Sequence, residues 1–188
     1  MPLTQSLYES AEALNQEFAA EIAEKLSQGI AQRGRASLMV SGGRTPLPLF
    51  KALSEIDINW ASVDVSLVDE RWVEESSDAS NTRLVKENLL VGKASAARFI
   101  EMKSAEADAT DAAVACESRL SAMSQPFDVL ILGMGEDGHT ASLFPCCEQL
   151  EDGLAMNSGR VCIATQPTTA PHQRMSLTLP AIVASRNI

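Results

Sequence analysis

The sequence has 188 residues, of which 45% are hydrophobic and 21% are charged, the proportions of an ordinary globular domain. Acidic side chains outnumber basic ones by 25 to 15, so the formal net charge is −10. This balance argues against binding to nucleic acids or to an anionic membrane surface, because both need a basic surface. It leaves room for a small anionic substrate, which a few arginines and backbone amides can hold.

The cysteines and histidines indicate a reduced, metal-free protein. Cys146 and Cys147 are adjacent, no Cys-x-x-Cys spacing occurs, and the N-terminus has no signal-peptide pattern. These features predict free thiols and a cytoplasmic location. With two histidines and no ligand spacing, the sequence predicts no metal site. The longest apolar runs are too short to cross a bilayer.

The predicted elements alternate between helices and strands. Apolar residues recur every three or four positions from Leu7 to Ile30, which predicts a long amphipathic helix whose role is packing. Further helices are predicted from residue 46, over 81–90, over 105–123 and from 180. Strands are predicted over 37–41, 63–68, 98–102, 127–132, 161–165 and 175–179.

This alternation predicts a single α/β domain over residues 1–188, with helices on both faces of a mostly parallel sheet. In such sheets, ligands bind beyond the carboxyl ends of the strands. Three predicted strands lead into segments that suit a binding site, namely Ser41–Thr45, Asp69–Arg71 and Gly133–His139. We therefore expect these three segments to meet at one rim of the sheet.

The first segment, Ser41-Gly42-Gly43-Arg44-Thr45, is a glycine-rich turn between a strand and a helix. Gly42 and Gly43 let the backbone approach an anion closely, and the N-terminus of the following helix favours negative charge. Arg44 and Thr45 could add side-chain donors. The alternative is a plain tight turn whose glycines only supply a positive φ, and the segment alone leaves both interpretations open.

The second segment, Asp69-Glu70-Arg71-Trp72, also has two interpretations. It could be a solvated strand end with an internal ion pair, which contributes little to stability. Alternatively, the planar guanidinium of Arg71 could bind a phosphate or an oxyanion. The predicted location on the same rim as the glycine turn favours the second interpretation.

The third segment, Gly133-Met134-Gly135-Glu136-Asp137-Gly138, has the spacing of the dinucleotide-binding motif. We reject that function because Glu136 and Asp137 would repel a pyrophosphate. Pro145 also follows too soon for a long helix to develop after the last glycine. The motif belongs in the first strand–helix–strand unit of a chain, whereas this copy lies late.

The same loop suits proton transfer by His139. Histidine can accept and return a proton near neutral pH, and Asp137 could fix its tautomer and stabilise its protonated form. No nucleophile elbow surrounds Ser142, which argues against covalent catalysis. His172 is interpreted as a residue without function, and Arg174 is a further candidate contact for the substrate.

Together, the three segments resemble the 6-phosphogluconolactonases of the pentose phosphate pathway. The resemblance rests on Ser41–Pro46, Asp69–Val73 and Gly133–Pro145 in this order and spacing, and it extends to Ser80-Asn81 and to Arg174–Pro180. It implies a three-layer α/β/α sandwich like that of glucosamine-6-phosphate deaminase and ribose-5-phosphate isomerase. It also implies hydrolysis of 6-phosphogluconolactone without a metal or an organic cofactor.

The resemblance further implies a division of roles. The phosphate would lie on the Gly42-Gly43 turn with help from Arg71 and Arg44, and His139 would activate water while Asp137 orients it. Loop amides or an arginine would stabilise the oxyanion. The expected partner is a small sugar-phosphate lactone, with no nucleic acid or membrane, and the expected state is a monomer or a weak homo-oligomer.

Three alternatives accompany this interpretation. Family members continue past the point that corresponds to Ile188, through a strand and a helix with a phosphate-binding lysine. We therefore expect this chain to lack that strand, helix and lysine. If these parts are essential, the chain would be an inactive remnant. An aminosugar-phosphate deaminase would have Ile-Ala-Phe-Asn-Glu-Pro after the histidine, where this chain has Thr-Ala-Ser-Leu-Phe-Pro. A non-catalytic sugar-phosphate sensor would need a partner domain, for which 188 residues leave no space.

Overall fold

The computed structural model describes residues 4–188, so the first three residues of the predicted domain lie outside the described part. The helices are α1 Ala11–Arg33, α2 Leu47–Ser54, α3 Asn81–Asn88, α4 Ala109–Leu120, α5 Leu150–Leu154 and α6 Leu179–Ala184. The strands are β1 Ala36–Val40, β2 Val63–Leu67, β3 Asp69–Arg71, β4 Arg98–Phe99, β5 Val129–Leu130, β6 Cys162–Thr165 and β7 Arg174–Leu177.

The strands form two sheets that meet at Val68. The main sheet is parallel, which agrees with the predicted mostly parallel sheet. Its strand order is β4-β2-β1-β5. The second sheet, in the order β3-β7-β6, is antiparallel, which hydrophobic patterns could not show because they carry no strand direction. Val68 donates its N–H to the carbonyl of Val40 and accepts from the N–H of Leu177 (2.9 and 2.8 Å), so one residue belongs to the hydrogen bonding of both sheets.

The core is one continuous apolar cluster built around the central strands. All five residues of β1 and all five of β2 are buried, which requires cover on both faces of the sheet. Helix α1 packs against β1 and α2, while α4 packs against β6 and β7. No helix of residues 4–188 combines the length and apolar character needed to span a bilayer.

Several predicted boundaries were wrong because side chains cap the helices later than the apolar pattern suggested. Helix α1 begins after Ser10, whose Oγ accepts from the N–H of Ala13, and Leu7 is therefore exposed outside it. Helix α4 likewise begins after Asp108, which accepts from Thr110. Strands β4 and β5 are two residues long, shorter than predicted, and the short helix α5 was not predicted.

Candidate active site

The structure brings the three candidate segments together around one cavity of about 640 Å³. The cavity lies beyond the carboxyl ends of β1 and β5, as expected for a parallel sheet. Among the residues that border it are Ser41, Gly42, Thr45, Asp69, Arg71, Asn81, Gly133, Gly135, His139 and Arg174. Three candidates are not among them: Gly43 is half-buried with a φ of 93°, and the side chains of Arg44 and Asp137 are exposed.

Ser41 joins the glycine turn to the His139 loop. Its Oγ donates to the carbonyl of Ile131 (3.0 Å) and accepts from the N–H of Gly133 (3.3 Å). These bonds run between the ends of neighbouring strands β1 and β5, so the two loops start side by side. The glycine turn and the His139 loop therefore share one wall of the cavity.

The His139 loop holds its histidine through Asp137. The Oδ1 atom of Asp137 lies 2.5 Å from His139 Nδ1 and also accepts the backbone N–H of His139 (3.2 Å). The hydrogen bond from the imidazole holds the pKa of Asp137 below its ordinary value, so the carboxylate stays ionised. Because Nδ1 is occupied, Nε2 is the ring nitrogen left for proton transfer.

Gly135 makes room for this pair. A Cβ atom at this position would lie 2.3 Å from His139 Cε1 and 2.4 Å from Nδ1, so no other residue fits without moving the ring. The loop closes on itself through a bond from the N–H of Gly135 to the carbonyl of His139 (2.8 Å). The glycines of this segment thus serve the histidine, which agrees with our rejection of the dinucleotide motif.

Two arginines of the second sheet meet at the border of the cavity. Arg71 of β3 and Arg174 of β7 are direct partners in the antiparallel pair, and both border the cavity. Within residues 4–188, the buried Nε atoms of both side chains have no hydrogen-bond partner. Burial, together with the charge of Arg71, lowers the pKa of Arg174. An anion between these guanidinium groups would offset both the repulsion and the missing hydrogen bonds.

Behind these arginines, Glu70 contradicts the interpretation of a solvated ion pair. Its side chain is 1% exposed and accepts from three backbone amides, those of Arg71 (2.7 Å), Asn81 (2.8 Å) and Thr82 (2.7 Å). The hydroxyl of Ser80 adds a fourth bond (3.2 Å). Glu70 therefore fixes the start of α3 and the backbone of Arg71. Its partners are backbone amides of β3 and of α3 rather than a basic side chain.

Sequence reasoning missed Asn81 and part of α1. Asn81 donates to the carbonyl of Asp69 (2.9 Å), and its amide lies so close to Gly42 that a Cβ atom there would be 1.9 Å from Oδ1. Ala11, Leu14 and Phe18 border the cavity, so the prediction that this helix only packs was incomplete. The adjacent Ser80 and Asn81 in the sequence were a signal for Asn81. No sequence signal separates the cavity-lining residues of α1 from its packing residues.

Comparison with known proteins agrees with this geometry. The sequence profile described as glucosamine-6-phosphate isomerases/6-phosphogluconolactonase matches residues 9–188. The chain belongs to this family. It is 43% identical to the 6-phosphogluconolactonase of Pseudomonas aeruginosa over 90% of this chain and 71% of the relative. For the enzyme of the same name from Rhizobium meliloti, the identity is 40% over 97% and 78%.

Solved structures of this family confirm the predicted fold class. A 6-phosphogluconolactonase from Shewanella baltica superimposes with a TM-score of 0.92 at 48% identity, covering 95% of this chain and 76% of the other. The enzyme from Thermotoga maritima gives a TM-score of 0.78 at 28% identity, with coverages of 94% and 77%. The family fold therefore extends over nearly the whole of the present chain.

Proposed function

We propose that this chain hydrolyses 6-phosphogluconolactone to 6-phosphogluconate, the lactone-opening step of the pentose phosphate pathway. The relatives that share 40–43% of its sequence carry the name of this activity. The observation that carries the proposal is the contact of 2.5 Å between His139 and Asp137 at the edge of a cavity that also contains Arg71 and Arg174. These residues can perform the reaction without a metal or an organic cofactor.

In the first step, His139 acts as a general base through Nε2. It takes one proton from a water molecule while the water oxygen attacks the lactone carbonyl carbon, and the carbonyl oxygen becomes an oxyanion. The ionised carboxylate of Asp137 stabilises the imidazolium that results, because it holds the Nδ1–H.

In the second step, the tetrahedral intermediate collapses. The carbonyl re-forms, the bond between the carbonyl carbon and the ring oxygen breaks, and the imidazolium returns its proton to that oxygen. The products are a free hydroxyl and a carboxylic acid, which ionises at neutral pH. His139 ends neutral, as it began, so the cycle needs one water and no other reactant.

The anionic groups of the substrate need separate partners. We assign the phosphate to the turn at Gly42 and Gly43, with Thr45 and Arg71 as side-chain donors. Because the guanidinium of Arg174 lies 5.4 Å from the Phe144 ring that stacks on His139, we assign the oxyanion to Arg174. Arg44 can join the phosphate only if its side chain turns from its exposed position towards the cavity.

The decisive experiment measures lactone hydrolysis by the wild type and by His139→Ala. We expect kcat to fall by about 10²- to 10⁴-fold, the usual contribution of a general acid–base group. His172→Ala is the matched control, because His172 is exposed and does not border the cavity. Wild-type and His139→Ala rates that both equal the uncatalysed rate would refute the proposal.

The rival function is deamination of an aminosugar phosphate, because the matched family includes both activities. No contact in the site favours it, and the Asn-Glu pair expected after the histidine is absent. Ammonia release from glucosamine 6-phosphate, measured beside the lactonase assay, separates the two functions. Activity with the aminosugar alone would reverse the assignment.

We further propose that the protein works in the cytoplasm as a monomer or weak homo-oligomer. Its four cysteines are free thiols, as a reducing compartment allows. The formal charge of −10 also makes copies of the chain repel one another. Light scattering across a range of concentrations tests the oligomeric state, and a stable dimer at low micromolar concentration would contradict it.

A further inference from the structure

The aromatic ring of Phe144 stacks on the imidazole of His139. The two ring centroids are 3.8 Å apart, and the ring planes differ by 22°. Phe144 is buried and is not among the residues that border the cavity. Any effect of Phe144 on the reaction must therefore act through the two side chains that its ring contacts, His139 and Arg174, rather than through direct contact with the substrate.

The other contacts of His139 leave one motion of its ring unrestrained. Asp137 holds the Nδ1 atom at 2.5 Å, and Gly135 lies against the edge formed by Nδ1 and Cε1. A hydrogen bond at one nitrogen still lets an imidazole tilt about the line between donor and acceptor. A flat ring packed against the imidazole face prevents that tilt, and in this loop Phe144 provides it.

Phe144 is itself well anchored. The preceding Ser142 is buried, and it donates through Oγ to Asp69 (2.6 Å) and through its N–H to Ser176 (3.0 Å). The carbonyl of Phe144 accepts from the N–H of Cys147 (3.0 Å). The ring also lies within cation–π distance of Arg174. These contacts fix Phe144 to the second sheet, whereas His139 belongs to a loop that extends from the first.

We propose that Phe144 is a positioning residue, which holds the plane of the His139 imidazole so that Nε2 points at the substrate. The proposal rests on the proposed lactonase function. Reacting atoms must align closely for proton transfer, so an imidazole that tilts would spend less time in the productive geometry.

The first test replaces Phe144 by leucine, which keeps an apolar side chain of similar bulk and removes the flat ring. We expect kcat for 6-phosphogluconolactone to fall about threefold to tenfold with KM changed by less than about twofold, the size expected for loss of one aromatic stack. Leu143→Val is the control, because Leu143 is a buried neighbour that does not border the cavity. Equal kcat losses in both variants would overturn the proposal.

The second test is independent of activity, and its first measurement needs no change at Phe144. The chain has two histidines, so a His172→Asn background leaves His139 as the single histidine signal in a proton–carbon NMR spectrum. We expect the Cε1 proton of His139 to be shifted upfield by the ring current of Phe144 and to move downfield in Phe144→Leu. An unshifted signal in the His172→Asn protein would show that the stack is absent and overturn the proposal.

The two tests also separate this inference from the proposed function. A wild type without lactonase activity but with the shifted signal refutes the function, and with it the catalytic part of the inference. A catalytically active wild type whose kcat is unchanged in Phe144→Leu refutes the inference alone.

Discussion

Two carboxylates support the site, one of them exposed to solvent and the other buried. The side chain of Asp137 is 44% exposed on a loop and has His139 as its partner, while Glu70 is buried behind Arg71 and binds three backbone amides. The first carboxylate contacts a single side chain, His139, to which we assign the proton transfer. The second holds backbone in place and does not face the cavity that contains His139.

The two regions to which we assign proton transfer and anion binding are held by different kinds of contact. Asp137 contacts His139, two residues away, and its side chain is 44% exposed, so replacing it should have little effect on folding. The wall that carries Arg71 depends on a buried carboxylate whose removal leaves backbone donors without partners. Changes at Asp137 should therefore appear in kcat, and changes at Glu70 should appear in the free energy of unfolding.

The largest effect is expected for Glu70→Ala. It leaves three buried amides without their acceptor, so we expect the free energy of unfolding to fall by about 3 kcal/mol or more. Denaturant unfolding measures this loss. Glu74→Ala is the matched control, since Glu74 is exposed and should change stability by less than about 0.5 kcal/mol. A Glu70→Ala protein as stable as the control would show that water replaces the carboxylate.

Asp137→Asn should have a smaller effect, confined to catalysis. The amide can no longer stabilise the imidazolium by charge, so we expect kcat to fall about 10- to 100-fold while the unfolding midpoint stays close to that of the wild type. Steady-state kinetics and thermal unfolding of the same preparation test this. Loss of stability comparable to that of Glu70→Ala would remove the distinction between the two regions.

The smallest effect is expected for the stability that Asp137 contributes at acidic pH. Since its hydrogen bond with His139 places the pKa of Asp137 below the ordinary 3.8, the carboxylate stabilises the fold above about pH 3.8 and loses that contribution as the pH falls through the folded-state pKa. The difference in thermal midpoint between wild type and Asp137→Asn should be constant near neutral pH and should shrink below about pH 3.8. A difference that grows in acid would mean that the folded-state pKa is raised.

The parts of the site that could be predicted from the sequence are those whose residues contact near neighbours along the chain. Asp137 and His139 are two residues apart, and the glycine turn directly follows β1, so local chemistry was enough to identify both. The convergence of the three segments followed from the rule that parallel strands place their carboxyl ends at one edge.

The remaining features depend on contacts that no local pattern encodes. Glu70 finds two of its amides eleven and twelve residues later. Arg71 faces Arg174 only because β3 and β7 pair antiparallel in that register. The stack of Phe144 on His139 needs the positive φ of 50° at Ala141, which reverses the loop between them. Alanine rarely adopts that conformation, so no residue type in the loop predicted the reversal.

The position of Val68 between the two sheets has a consequence for how this protein can change during evolution. Successive residues of a strand point to opposite sides, and Asp69 and Arg71 border the cavity while Glu70 points away from it. Inserting or deleting one residue at Val68 would exchange these sides, exposing the carboxylate of Glu70 to the substrate and burying the guanidinium. A change in the length of this junction would therefore place a carboxylate where the guanidinium of Arg71 now borders the cavity.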